Sequence, residues 1–207
     1  MKKFKQLIAN NKKDIIIPVA VLLIICIVIP LALSVTNLAT SEKIAELEEK
    51  NIKKTMSTLI KADTFEKQVF TKEDGNIEYY AVKTAENVVG YVFITYSKGY
   101  GGDVSVMTAV NVDGTVNNVS ILDVSNETPG LGQNVSRESF YSQFRGKKSD
   151  ISLVKSGVDG ANNEIDAVTG ATVTSKAVTA AVNTALDNFS IITNNNQITS
   201  MNEGEVR

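Results

Sequence analysis

The chain has 207 residues, of which 43% are hydrophobic, and a formal net charge of −2. This length allows one membrane segment and one domain with a hydrophobic core, and the nearly balanced charge argues against nucleic-acid binding. The sequence contains no His and one cysteine, Cys26, so it cannot by itself build a thiolate iron–sulfur site, a tetrahedral zinc site or an attached c-type haem. The lack of His also excludes Ser-His-Asp and Cys-His hydrolases. We therefore predict no metal site and no catalytic residue, and any redox chemistry must come from an organic cofactor.

An apolar segment near the N-terminus predicts a transmembrane helix over residues 14–37. Every residue from Ile15 to Leu33 is apolar or Pro, and no charged residue lies between Asp14 and Glu42. At about 1.5 Å per residue, the segment covers the hydrocarbon layer of about 30 Å.

The distribution of lysines predicts the orientation of this helix. Residues 1–13 carry five lysines, whereas Ser34 to Ser41 carry no positive charge. The positive-inside rule places the basic N-terminus in the cytoplasm and the rest of the chain outside. A cleaved signal peptide is the alternative, because Ala32-Leu33-Ser34 resembles a cleavage site, although the apolar run exceeds the roughly 7–15 residues of a signal core.

Residues 38–63 are predicted to form a helix next to the membrane. Ser41 can cap its start, and four glutamates in its first half favour the positive end of the helix dipole. Apolar residues at helical spacing give it a moderately amphipathic face. The alternating charges indicate a solvated surface, with a docking stalk for neighbouring membrane proteins as the alternative.

Residues 64–193 are predicted to form an α+β domain in which helices flank an antiparallel sheet. Strand-like runs separated by turn residues predict its strands. These strands are Ile77–Lys83, Val88–Tyr96, Val104–Val112 and Val116–Val124, with an edge strand at Ile151–Lys155. Helices are predicted at Glu138–Phe144 and Ser175–Phe189, and the polar tail, residues 194–207, is expected to be loose.

The segment DAVTGAT lies directly before the last predicted helix. Gly170 permits a tight turn, Ala171 leaves the surface open, and Thr172 presents a hydroxyl at the start of the helix. Backbone amides and the dipole at a helix N-terminus favour a phosphate there. Thr174 and Ser175 add hydroxyl donors and a cap. The alternative is an ordinary turn and N-cap, which every helix start requires.

Two motifs resemble those of a known family. The segment from Asp166 to Thr172 matches D-x-x-[ST]-G-A-T, the flavinylation signature of the FMN-binding domain family. The segment ETPGLG, residues 127–132, resembles a loop of the same family, and GYGG at Gly99–Gly102 is a weaker match. With the N-terminal anchor, these motifs resemble the G subunits of Rnf electron-transport complexes. They are less similar to the C subunits of sodium-pumping NADH:quinone reductases.

The resemblance implies a covalent FMN on Thr172, the last residue of the motif. The hydroxyl of this residue would be esterified to the phosphate of FMN by a separate flavin transferase that uses FAD as donor and acts after export. Asp166 would belong to the recognition motif of the transferase, and Thr169 stands where many family members have Ser. Thr174 is the alternative attachment site.

The ETPGLG loop is predicted to form a wall of the flavin pocket. Gly130 and Gly132 would allow the backbone to approach the ring closely, and the alternative is a rigid turn built on Pro129. Tyr100 and Tyr141 are candidates for stacking on the ring, although aromatics at such positions are also typical of cores. Besides Thr172, the predicted cofactor-binding residues are Glu127, Thr128, Gly130, Leu131, Gly132, Thr169, Gly170, Ala171, Thr174 and Ser175.

The resemblance further implies an electron carrier without a substrate reaction of its own. The complex it implies lies in the cell membrane, oxidises reduced ferredoxin, reduces NAD⁺ and translocates Na⁺ or H⁺. Ferredoxin and NAD would bind to other subunits, and the partners of this chain would be other membrane subunits and the transferase. The alternatives are a component of the quinone reductase, a stand-alone cell-surface flavoprotein and a flavin-free anchored binding module.

Overall fold

The computed structural model describes residues 12–72, 75–158 and 163–204. The chain divides into two compact units, Met1–Ile52 and Lys53–Arg207. Residues 1–11 lie outside the described residues, so the basic segment predicted at residues 1–13 falls almost entirely outside them. The last three residues of the predicted tail do so as well.

The described residues of the first unit are helical. Helix α1, Lys12–Leu59, runs without interruption through the segments predicted as a transmembrane helix and a separate juxtamembrane helix. Its side chains from Ile16 to Lys50 are exposed. It contains an 18-residue window of mean hydropathy 3.2, so its length and composition allow it to cross a membrane.

The prediction that Ser41 caps a helix is wrong. Its hydroxyl donates to the carbonyl of Leu38 at 3.3 Å, inside α1. Thr36 and Thr40 likewise bond carbonyls four residues earlier, each at 2.9 Å. Hydroxyl residues can continue a helix in this way, and no Gly or Pro follows Pro30 before residue 75 to end it.

The second unit is built on a five-stranded antiparallel sheet in the order β1-β2-β3-β4-β5. The strands are β1 Thr64–Lys72, β2 Gly75–Thr84, β3 Asn87–Lys98, β4 Asp103–Asn111 and β5 Val116–Asp123. Each strand pairs with its neighbours in sequence, so the sheet is a meander. Strand β1 was not predicted because it is an edge strand with mostly exposed side chains and weak alternation. The α+β class is confirmed.

One face of the sheet is covered by the long C-terminal helix α3, Thr172–Gly204. Its buried residues Val178, Ala181 and Val182 bring the helix close to β3, and the hydroxyl of Thr95 donates to the carbonyl of Ala181 at 2.9 Å. The helix starts three residues before the predicted Ser175 and continues through the segment expected to be a loose tail. No Gly or Pro occurs between Thr172 and Gly204 to stop it earlier.

The connection from β5 to α3 forms the rest of the domain. It contains a 3₁₀ turn at Gly132–Ser136, helix α2 at Glu138–Tyr141 and a second 3₁₀ turn at Ser142–Phe144, so the helix predicted at 138–144 is split. A short parallel pair follows, β6 Ser152–Val154 and β7 Glu164–Asp166.

Candidate cofactor-binding site

A cleft of about 460 Å³ opens at the start of α3. Three segments that are distant in sequence form its walls: the loop after β3, the ETPGLG loop and the first turn of α3. This volume lies in the range of small-molecule sites, about 300–1,000 Å³. The residues that line this first cleft are Tyr100, Glu127, Thr128, Leu131, Gly132, Gly170, Ala171, Thr172, Val173 and Thr174.

The start of α3 offers free amides to the first cleft. The amide of Ala171 donates to the carbonyl of Val168 at 2.9 Å, which closes the turn around Gly170, whose φ is +78°. The carbonyl of Ala171 accepts the first helical bond from Ser175, also at 2.9 Å. Since the amides of the first turn precede any intrahelical acceptor, they and the helix dipole can stabilise a phosphate.

The two candidate attachment residues differ in accessibility. Thr172 is exposed and lines the first cleft. Thr174 is 1% exposed, and its hydroxyl donates to Oε2 of Glu127 at 2.6 Å. The hydroxyl of Thr172 is therefore accessible to a reagent, whereas that of Thr174 is engaged within the wall.

Glu127 is a buried carboxylate between two loops and a helix. Its side chain is 3% exposed, and besides the bond from Thr174 it accepts one from the amide of Gly101 at 3.0 Å. Burial raises the pKa of Glu127, but the bonds from the Thr174 hydroxyl and from the amides of residues 100–102 outweigh it, so the net pKa lies below the usual value. Glu127 is thus ionised at neutral pH.

Glycines make room for this carboxylate. A Cβ at Gly99 would overlap Oε1 of Glu127, and one at Gly132 would lie 2.6 Å from Oε2. The missing Cβ of Gly132 therefore leaves room for the Glu127 carboxylate, and Gly132 also lines the first cleft. Gly130 differs, because an added Cβ there would meet nothing within 4 Å. Its φ of +77°, not a lack of space, is what favours glycine at this position.

The first cleft has an apolar rim. Tyr100 is 77% exposed, Val173 50% and Leu131 45%, and all three line the cleft. Val173 was missed by the sequence analysis, although its position directly after Thr172 was a usable signal. Tyr141 is not among the lining residues and packs against the hydrophobic core.

The first half of the DAVTGAT segment lies elsewhere. Asp166 and Thr169 line a second cleft of about 290 Å³. Oδ1 of Asp166 is buried without a hydrogen-bond partner, while the backbone amide of this residue donates to Oε1 of Gln143 at 2.8 Å. Ser175 is fully buried, and its hydroxyl oxygen accepts from the amide of Val168 at 3.0 Å, so it braces the turn before α3.

Comparisons with known proteins identify the relatives of this chain. The FMN-binding domain family matches residues 99–187. Over 124 residues the chain is 43% identical to the G subunit of the proton-translocating ferredoxin:NAD(+) oxidoreductase complex of Clostridium ljungdahlii, with 60% of this chain and 66% of that relative covered. It is 37% identical over 182 residues to the G subunit of the Na(+)-translocating ferredoxin:NAD(+) oxidoreductase complex of Acetobacterium woodii, with 80% and 87% covered. The chain belongs to this family of G subunits.

The relation to the quinone reductase is weaker. The C subunit of the Na(+)-translocating NADH-quinone reductase of Vibrio alginolyticus is 33% identical over 107 residues, which cover 48% of this chain and 42% of that relative. The predicted membership in the family of Rnf G subunits, with a more distant relation to the quinone reductase, is confirmed.

The residues of this G-subunit homologue fit FMN. The first cleft has the volume of a small-molecule site. An accessible hydroxyl and the first turn of a helix are among its lining, and a helix start favours a phosphate. Apolar side chains on the rim suit an aromatic ring. When bound, FMN supplies the electron-transfer chemistry, and the protein holds and tunes it.

The role of Gly132 leads to a stability prediction. Gly132→Ala is expected to lower the free energy of unfolding by about 2–3 kcal/mol, because its Cβ would displace a buried, hydrogen-bonded carboxylate. Gly130→Ala, the matched control, is expected to cost about 1 kcal/mol, since only its positive φ opposes Ala. Urea unfolding followed by far-ultraviolet circular dichroism measures both values. Equal losses would contradict the role given to Gly132.

Proposed function

We propose that this chain carries FMN as a phosphoester on Thr172 and serves as an electron-carrying component of an ion-translocating ferredoxin:NAD⁺ oxidoreductase complex. The observation that carries the proposal is the exposed hydroxyl of Thr172, at a helix N-terminus and inside a cleft of suitable size. The match of residues 99–187 to the FMN-binding domain family supports it, as does the similarity to G subunits of such complexes.

Attachment of the flavin requires a group transfer to Thr172. Its Oγ forms a bond to the FMN phosphorus of FAD while the pyrophosphate bond breaks, AMP leaves, and the hydroxyl proton passes to solvent. A separate flavin transferase catalyses this step. Free amides and the dipole at the start of α3 stabilise the charge of the resulting phosphodiester.

Asp166 has its role in this maturation step. Asp166 lines the second cleft, whereas Thr172 lines the first. The residue that the transferase would recognise and the hydroxyl that accepts the flavin therefore lie in different clefts. This separation supports recognition of Asp166 by the transferase rather than contact with the bound flavin.

The first cleft suits electron transfer without substrate chemistry. Among the described residues, those that line it include one carboxylate, Glu127, and no other charged group. It therefore contains no acid–base pair for general catalysis. The exposed apolar side chains of Tyr100, Leu131 and Val173 would cover the ring and exclude water.

The apolar part of α1 anchors the chain in the membrane. The lysines that precede it remain in the cytoplasm, and the FMN-binding domain lies on the outer side. A covalent bond keeps the flavin from being lost there. The partners are other membrane subunits of the complex, which bind ferredoxin and NAD in place of this chain.

The electron-transfer role is tested in membranes that contain the assembled complex with wild type, Thr172→Ala or Thr172→Ser. Ferredoxin-dependent reduction of NAD⁺ is expected in wild type, at least tenfold lower in Thr172→Ala and retained in Thr172→Ser, which keeps the hydroxyl. Normal NAD⁺ reduction in Thr172→Ala would contradict the proposal.

The same membranes separate the alternatives. NADH-driven reduction of quinone that depends on Thr172, without ferredoxin-dependent NAD⁺ reduction, would point to a component of a quinone reductase, which the shorter match makes the weaker candidate. A loaded protein that purifies alone and reduces external acceptors would point to a stand-alone flavoprotein. A wild type without flavin in the presence of active transferase would favour a binding module.

A further inference from the structure

Glu127 is a charge enclosed in the wall of the first cleft. Its carboxylate is 3% exposed and lines the cleft together with uncharged residues. In the described part of the chain, no ion pair includes it. Its hydrogen-bond donors are the hydroxyl of Thr174 and backbone amides of residues 100–102, all of them neutral. These bonds keep the carboxylate ionised without cancelling its charge.

The structural role of Glu127 does not require this charge. A glutamine of the same shape would accept a bond from the amide of Gly101 and donate one to the hydroxyl of Thr174. The residue nevertheless places a negative charge in the wall of the first cleft, and a charge on a buried side chain is screened less than one at the surface.

Reduction of a flavin by two electrons with uptake of one proton adds one negative charge to the ring. A fixed negative charge in the wall opposes this change, and charges near the ring are a recognised means by which proteins tune flavins. We propose, resting on the function proposed above, that the Glu127 carboxylate lowers the reduction potential of the flavin bound in the first cleft.

The test is a spectroelectrochemical titration of the full-length, covalently loaded protein in detergent. Glu127→Gln is expected to shift the redox equilibrium about tenfold toward the reduced form, which is a rise of about 30 mV for a two-electron couple. Glu138→Gln is the control for net charge, because the Glu138 side chain is 72% exposed on α2, and it is expected to leave the potential unchanged.

A second control separates charge from packing. Glu127→Asp keeps the negative charge but shortens the side chain and disturbs its hydrogen bonds, so its potential is expected to stay close to that of wild type. If Glu127→Gln leaves the potential unchanged, or if Glu127→Asp raises it equally, Glu127 acts only as a structural brace and the proposal is overturned.

Two variants at an exposed position keep the proposal testable if Glu127→Gln does not fold. Thr128 is exposed, lines the first cleft and follows Glu127 directly. Thr128→Lys is expected to raise the potential by offsetting the carboxylate, and Thr128→Met is the uncharged control. Identical potentials for these two variants would overturn the proposal.

Flavin loading is scored on the denatured protein before each titration. A wild type without covalent flavin would contradict the proposed function, and the inference with it. Loaded variants whose potentials do not follow the charge contradict the inference alone.

Discussion

Replacing Thr172 with Ala is expected to abolish covalent flavin, whereas Thr172→Ser is expected to retain it. The phosphoester requires a hydroxyl at this position, and Ser supplies one while Ala does not. Ala is well tolerated in the first turn of a helix, so α3 is expected to form in both variants. In-gel flavin fluorescence after denaturing electrophoresis, with a co-expressed flavin transferase, measures the loading.

Thr174→Val is the control for this experiment because it removes the nearest other hydroxyl. Thr174 is buried against Glu127, so its substitution is expected to leave a fluorescent band. A dark Thr174→Val together with a fluorescent Thr172→Ala would move the attachment site. A dark wild type with active transferase would remove the covalent flavin altogether.

The second large expected effect is all-or-none labelling from outside the cell. A cysteine at the exposed Lys148 position of the domain is expected to react with a membrane-impermeant maleimide in intact cells. One at Lys5, ahead of the apolar segment, is expected to react only after the membrane is opened. The native Cys26 lies within the apolar run, which the reagent does not enter. Labelling therefore comes only from the introduced cysteines.

The pattern of labelling distinguishes the possible orientations. Labelling of Lys5→Cys in intact cells with protection of Lys148→Cys would show the reverse orientation. Release of the domain from alkali-washed membranes, with loss of the residues up to and including Ser34, would show a cleaved signal peptide. The retained anchor requires the full-length chain to stay in the washed membranes.

Local patterns were sufficient to predict most of the sheet and the last helix. Strands β2 to β5 are runs rich in apolar and β-branched residues that are separated by turn residues. The helical spacing of Val178, Ala181 and Val182 is equally clear. Strand β1 and strand β7 escaped prediction, because an exposed edge and a pairing of three residues leave little periodic signal. The continuity of α1 at Ser41 was not predicted either. Serine is typical of N-caps, but it can also lie inside a helix when its hydroxyl bonds a preceding carbonyl.

The site was predictable in its location but not in the contacts of its residues. Both motifs were found, and the structure brings the ETPGLG loop and the segment from Gly170 to Thr174 into one cleft. Neither the bond between Glu127 and Thr174, which are 47 residues apart, nor the room that Gly132 leaves for Glu127 has a local signature. Such contacts depend on the tertiary fold. The placement of Asp166 in a different cleft from Thr172 likewise depends on the tertiary fold and has no local signature.

Flavin attachment at Thr172 is tested without intermediate steps by fragment mass mapping of wild type that was co-expressed with a flavin transferase. We expect one added FMN less one water on the peptide that contains residues 166–175, with fragment ions that assign the addition to Thr172. An unmodified peptide, or an addition assigned to Thr169, Thr174 or Ser175, would contradict the attachment of flavin at Thr172.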